Sequence, residues 1–352
     1  VAQRTTTLPE PRFTLEQIAA LPRPRPLSPE RKAELQAEVR RLAAEQDALI
    51  LAHNYQLPEV QEVADFVGDS LALSRKAAAA TQSTIVFCGV HFMAETASVL
   101  APDKTVLLPD PRAGCSLASS IDAAALAAWR EEHPGAVVVM YVNTSAEVKA
   151  LTDYCCTSAN AVEVVRHVFE THGEDTEVLF GPDMWLGAYV ERELGRPLHV
   201  WDGECHVHAG IRPDEINALR EAHPQAEFLI HPECGCTTSV MEYYASGEIG
   251  SGVHMLSTGG MLRYAERAAQ AADGAPREVI VATEVGMIHP LQEAAPQLQF
   301  IPANPKAACA FMKLTTLERL LHSLRKRRYE VRVPEEVAER ARIPIERMIA
   351  IG

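Results

Sequence analysis

The 352 residues contain no C-x-x-C pair. That absence excludes the local ligand spacings of zinc ribbons and ferredoxins. No apolar run approaches the roughly 18 residues that a membrane-spanning helix needs, and no export signal opens the sequence. Positive charge is scarce: 33 Lys and Arg stand against 47 Asp and Glu, a net −14. This is a poor balance for gripping a polyanion, so neither nucleic acid nor a membrane is an expected partner. Small anionic substrates are not excluded, because a few local donors suffice to hold them. What is present is ordinary for a globular protein: 47% hydrophobic and 23% charged residues. The length implies two to three domains and a core that needs no disulfide staples.

Eight cysteines require a reason: Cys88, Cys115, Cys155, Cys156, Cys205, Cys234, Cys236 and Cys309. Without an export signal a cytoplasmic, reducing location is expected, and disulfide scaffolding is not. Either most are core residues, as free cysteines often are, or distant segments gather some of them into one site.

The first 30 or so residues are Pro-rich and polar ("LPRPRPLSPE") and read as an extended lead-in. Ser28-Pro29-Glu30 then opens a helix with a cap and a proline at its first position. Leu35, Val39, Leu42 and Ala43 are its apolar stripe. Short apolar runs follow, alternating with helical patterns: 48–55, 84–89, 105–110, 136–143, 177–183, 197–201, 227–233, 278–283 and 299–303. They are apolar throughout rather than alternating, as parallel strands covered on both faces are. The expected class is α/β.

A repeat appears when strand ends are aligned. Tyr141 lies 88 residues after His53, and His231 lies 90 after Tyr141. Ser70 and Ser158 each follow their strand-end residue by 17; Ser257 follows by 26, an insertion. One cysteine closes each unit: Cys115, Cys205 and Cys309, at 45, 47 and 52 residues after those serines. The expectation is three pseudo-symmetric αβα sandwich domains with parallel sheets around a central active site. Their limits are 45–125, 126–212 and 213–325, after a lead-in with first helix (1–44) and before a C-terminal segment (326–352).

Sites in open parallel sheets form beyond the carboxyl ends of the strands. Three such ends aimed at one centre would bring three cysteines together with His, Tyr, Asn and Glu. Three thiolates without a fourth suit a [4Fe–4S] cluster with one open iron, which can act as a Lewis acid. A zinc ion held by the same three cysteines is the competing metal reading. Helix N-termini suit phosphate or carboxylate. A lyase or synthase for small anions is the function these features suggest.

The segments "LAHNYQLPEVQEVADFVGDSLALS", "GVHFMAETA", "AGCSLA", "MYVNTSAEVKALTD", "CTSANA", "HPEC", "STGGM" and "ACAFMKLTTLERL" closely resemble quinolinate synthase, the A-type enzyme of bacterial NAD biosynthesis. The resemblance runs in order from about residue 45 to 325. It implies condensation of iminoaspartate with dihydroxyacetone phosphate to quinolinate, releasing phosphate and water. It further implies a [4Fe–4S] cluster held by Cys115, Cys205 and Cys309, and an L-aspartate oxidase as candidate supplier of iminoaspartate. Carried over by motif, Tyr55, His231 and Glu233 are the expected acid/base residues. His53, Ser70, Tyr141, Asn143, Ser158 and Thr258 are expected to bind substrate, with Gly259-Gly260 letting backbone amides approach an anion. Ser70 and Ser158 open helices, so capping is their alternative use. The third ligand departs from the family pattern Cys-Pro-Asn-Met-Lys: here it is Cys309-Ala310-Phe311-Met312-Lys313. Cys88 is expected in the core, and Cys234 and Cys236, which flank Gly235, in a surface turn near the site, with a redox pair as their alternative. His91 is given no role. A zinc-dependent lyase on the same cysteines and an iron–sulfur redox sensor stand as alternatives.

Overall fold

The computed structural model describes residues 13–236, 252–270 and 278–352. The first twelve residues of the expected lead-in lie outside it, as does most of the insertion in the third unit. Among the described residues, twelve strands form three separate sheets of four, every pair parallel. The first holds β1 (Ala48–His53), β2 (Phe66–Gly68), β3 (Thr84–Cys88) and β4 (Thr105–Leu107). The second holds β5 (Val137–Tyr141), β6 (Tyr154–Cys156), β7 (Val178–Gly181) and β8 (His199–Val200). The third holds β9 (Glu227–Ile230), β10 (Val253–Met255), β11 (Glu278–Ala282) and β12 (Gln299–Pro302). Spatial order is the same in each: second, first, third, fourth. The chain is therefore α/β with three αβα sandwiches.

All six residues of β1 and all five of β3 and β5 are buried, which is why their sequences lack alternation. The nine expected strands are all found, each shorter than its apolar run. The run at 48–55, for instance, stops pairing at His53, so Asn54 and Tyr55 leave the sheet. Three strands were not expected: β2, β6 and β10. Each has three residues and one neighbour at the sheet edge, too few to register as a period in the sequence.

The helices after the three unit-closing cysteines tie the sheets into a ring. Helix Ala123–Glu132 sets Leu126 against Val138, Met140 and Leu179 of the second sheet. Helix Pro213–Ala222 sets Ile216 against Phe228, Ile230 and Ile280 of the third. Helix Leu317–Lys326 returns to the first sheet, where Leu317, Leu320, Leu321 and Leu324 join Ile50, Val86 and Leu107. Helix Pro29–Glu45 completes that layer with Leu35, Val39 and Ala43, while Leu42 is half-buried; its Ser28 cap accepts the Arg31 N–H. Burying Leu35 and Val39 stabilises this layer by about 1.5–3 kcal/mol each. Each cysteine thus sits where the chain crosses from one sheet to the next.

The lead-in is not extended throughout. Thr14 and Gln17 form a reciprocal capping box on helix Leu15–Ala19, and Phe13 packs against Phe311 with ring centroids 4.6 Å apart. The proline-dense stretch after Leu21 lacks regular structure. The last helix, Glu335–Ala350, buries Ala341, Ile345 and Met348. Among the described residues no helix is long and apolar enough to cross a membrane.

Candidate active site

In each sheet the chain leaves the first strand toward opposite sides, to the second and to the third. That reversal opens a crevice at the carboxyl ends. All three crevices face one central cavity. Every expected catalytic, substrate-binding and ligand residue lines it: His53, Tyr55, Ser70, Cys115, Tyr141, Asn143, Ser158, Cys205, His231, Glu233, Thr258 and Cys309.

The three cysteines occupy matching turns. The N–H four residues on donates to each cysteine carbonyl: Ser119 to Cys115, Ala209 to Cys205, Lys313 to Cys309. The N–H three residues on reaches each sulfur, from Ala118, His208 and Met312. Burial pushes the Cys205 thiol well up, and Glu233, Cys115 and Cys309 push it further. Burial likewise moves Cys309 up, to about 11. Three half-buried cysteines on one cavity are a donor set of the kind that binds a metal in thiolate form. Among the described residues, the sets of ligand atoms lying within 4.8 Å of one another are Cys205/His208/Glu233 and, on the surface, His133/Glu177/His199; the three thiols are not such a set.

Glu233 is the hub of the hydrogen-bonding network. Its Oε1 accepts the Tyr141 hydroxyl, and its Oε2 lies 3.2 Å from His208 Nδ1. Burial raises this carboxyl, but His231, His208 and Tyr141 outweigh it and hold the pKa well below the usual range. His208 Nε2 lies 2.9 Å from Thr283 Oγ1 and 3.3 Å from the Tyr55 hydroxyl, which is 2.6 Å from Thr283 Oγ1. Tyr55, Thr283 and His208 thus form one connected group whose imidazole Nδ1 lies beside Glu233 without a well-aligned hydrogen bond to it, and Tyr141 donates to Glu233 from the other side. The hydroxyls of Tyr55 and Tyr141 are held protonated, first by burial and then by the Glu233 charge.

Pro232 ends β9 pairing, and the turn that follows aims His231 and Glu233 into the same cavity. The Glu233 N–H donates to His231 Nδ1 at 3.4 Å, so the neutral ring carries its proton on Nε2, 3.2 Å from Ser158 Oγ. Burial pushes His231 down to about 4 and His53 to about 3. His53 Nδ1 accepts the Tyr55 N–H at 3.2 Å, which likewise assigns its proton to Nε2.

Capping is not the task of the two serines. Asp69 caps helix Ser70–Ala78 by accepting from the Ala72 N–H, and Asn160 occupies the cap of Ala161–His172. Ser257 accepts the Gly260 N–H, leaving the Thr258 hydroxyl to accept from Asn54 Nδ2 at 3.0 Å. A Cβ at Gly259 would lie 2.4 Å from Asp69 Oδ2, so glycine at this position lets the Asp69 carboxylate pack against the first turn of this helix.

Cys88, Cys155 and Cys156 are fully buried core residues. Cys234 and Cys236 are joined by a disulfide and fully buried. The surface-turn expectation is wrong because the loop folds under Ala209, against Gly235. His91 lies 3.7 Å from the buried Glu95. The sequence reading missed His208, Thr283 and Glu284. His208 follows Cys205 by three, one turn on. Thr283 and Glu284 directly follow β11, so extending the strand-end alignment to the third strand of each unit would have found them.

The sequence profile of the family described as quinolinate synthetase A protein matches residues 37–350. Curated relatives named quinolinate synthase include one from Thermus thermophilus, 56% identical over 90% of this chain and 97% of the relative. Another, from Mycolicibacterium paratuberculosis, is 56% identical over 91% of this chain and 89% of the relative. A third, from Mycobacterium tuberculosis, is 56% identical over 90% and 88%. The chain belongs to the quinolinate synthetase A family and is an enzyme of the quinolinate synthase type.

Proposed function

We propose that the cavity condenses iminoaspartate with dihydroxyacetone phosphate to quinolinate, releasing phosphate and water, in the cytoplasmic synthesis of NAD. The carrying observation is the meeting of three matched cysteine turns and one Glu233-centred network in a single cavity. Cys115, Cys205 and Cys309 would hold a [4Fe–4S] cluster, whose open iron supplies a Lewis acid for the loss of water. A zinc lyase on the same three cysteines is the alternative that the metal content decides. The polar network favours an enzyme over a redox sensor, which would have no use for it. Domain limits of 45–125, 126–212 and 213–325 belong to the same proposal.

The protein's own groups divide the remaining work. His53 offers Nε2–H, and Ser70, Ser158, Thr258 and Asn143 offer short polar groups, to the carboxylates and phosphate of the substrates. Glu233, ionised at neutral pH, is the general base that takes a carbon-bound proton during triose tautomerisation. Tyr55 returns a proton to oxygen and is recharged through Thr283 and His208. Tyr141 orients the Glu233 carboxylate, and His231 orients Ser158. The buried, largely apolar walls around Val90, Phe92 and Met93 protect the hydrolysis-prone imine from water.

The test is iron and acid-labile sulfide per chain on anaerobically purified protein, with quinolinate formation assayed from both substrates. Near four of each is expected, lost on Cys→Ser replacement at 115, 205 or 309 and retained at 88, 155 and 156. Zinc without sulfide, or a full cluster in Cys205→Ser, would overturn the ligand assignment.

A further inference from the structure

Glu284 and Lys313 form an ion pair that none of the roles above uses. Glu284 is fully buried and Lys313 nearly so, with 3.0 Å between Nζ and Oε1. The carboxylate accepts two backbone N–H groups as well: that of Cys309 at 2.9 Å on Oε1, and that of Gly286 at 2.6 Å on Oε2. Lys313 Nζ also donates at 2.5 Å to the carbonyl of Tyr55. The pair therefore joins three pieces of chain: the end of β11, the turn that carries Cys309, and the loop after β1 that carries Tyr55.

Gly286 supplies a second, independent observation. A Cβ there would lie 2.7 Å from Glu284 Oε2, 2.7 Å from Lys313 Nζ and 2.9 Å from the Tyr55 carbonyl carbon. Its φ is unexceptional, so glycine is required by space and not by backbone conformation. The packing leaves room for the ion pair and nothing more. A buried pair of charges is seldom a large net source of stability, whereas removing one partner strands the other. Its value here lies in fixing geometry.

We propose that Glu284 and Lys313 are positioning residues that set the Cys309 turn against the Tyr55 loop. The inference rests on the reading of Cys309 as a cluster ligand, so its test needs a readout that survives without a cluster.

The full-length chain, wild type and Glu284→Gln, Lys313→Met and Gly286→Ala, is purified anaerobically. Iron loss to a ferrous chelator is followed by absorbance. The stripped, reduced chains are then alkylated with iodoacetamide, and each cysteine is scored by mass spectrometry. Cys309 is expected to alkylate at least ~10-fold faster in the variants, with Cys115 and Cys205 within about 2-fold of wild type. Iron loss should accelerate by a similar factor. The Glu284→Gln/Lys313→Met double variant should be no worse than the poorer single. Gly286→Ala crowds the pair without deleting a group, so it carries the comparison where Glu284→Gln does not fold. Wild-type alkylation of Cys309 in all variants, or equal acceleration of all three cysteines, would overturn the proposal. A wild-type chain with no iron would defeat the cluster reading and leave the alkylation result to judge the pair.

Discussion

Replacing Glu233 with Gln deletes one charge while keeping the shape of the hub. The Tyr141 hydroxyl can still donate to the amide oxygen. One charge-assisted hydrogen bond becomes a neutral one. At about 1.5–3 kcal/mol for the charged kind and about 0.5–1.5 for the neutral, the folded state loses roughly 1–1.5 kcal/mol. Loss of a general base costs about 10²–10⁴-fold in rate. The expected result is therefore kcat down at least ~100-fold, with KM for both substrates within about 3-fold and iron and sulfide unchanged. Steady-state quinolinate formation near neutral pH gives both parameters. A kcat within about 5-fold of wild type, on a protein retaining its cofactor, would refute the assignment of Glu233 as base and shift it to a purely structural role.

Three further outcomes follow from the same geometry. Tyr55→Phe and Thr283→Val should each lower kcat by about 10²-fold, and the double variant should lower it little more, since both cut one relay; additive losses in a double-mutant cycle would separate them. Gly259→Ala should cost about 1–3 kcal/mol in chemical denaturation, because its methyl would overlap Asp69 Oδ2, and Asp69→Ser should recover part of it. Burial raises Glu95 to about 7, with Lys149 opposing and Glu147 adding. The folded state thus binds the extra proton, so this contribution is full below about pH 4.5 and is lost as pH rises through 7, on the order of 3 kcal/mol. Denaturant midpoints between about pH 5 and 8 should fall in wild type and flatten in Glu95→Gln; equal slopes would remove Glu95 as the source.

The sequence by itself determined the class of the fold and pointed to twelve of the residues that line the cavity. Nine apolar runs without alternation fit strands covered on both faces, and the 88- and 90-residue steps repeat one unit around a centre. Because side chains at strand ends and after crossovers are fixed by local chain geometry, Tyr55, Tyr141, Glu233 and the three cysteines could be picked out one unit at a time. What only the tertiary structure decided lies between units. The three-residue edge strands exist because a neighbouring strand offers them hydrogen bonds, not because their own residues demand them. Asp69 faces Gly259, and Asn54 faces Thr258, across a domain boundary that no local pattern crosses. The relay from Tyr55 through Thr283 and His208 to Glu233 draws on all three repeats, with His208 from the second, and Glu284 reaches Cys309 across a turn. Helix Leu317–Lys326 closes the ring on the first sheet, from the far end of the chain. Each of these depends on which surfaces meet, and that is set by the burial of the whole ring.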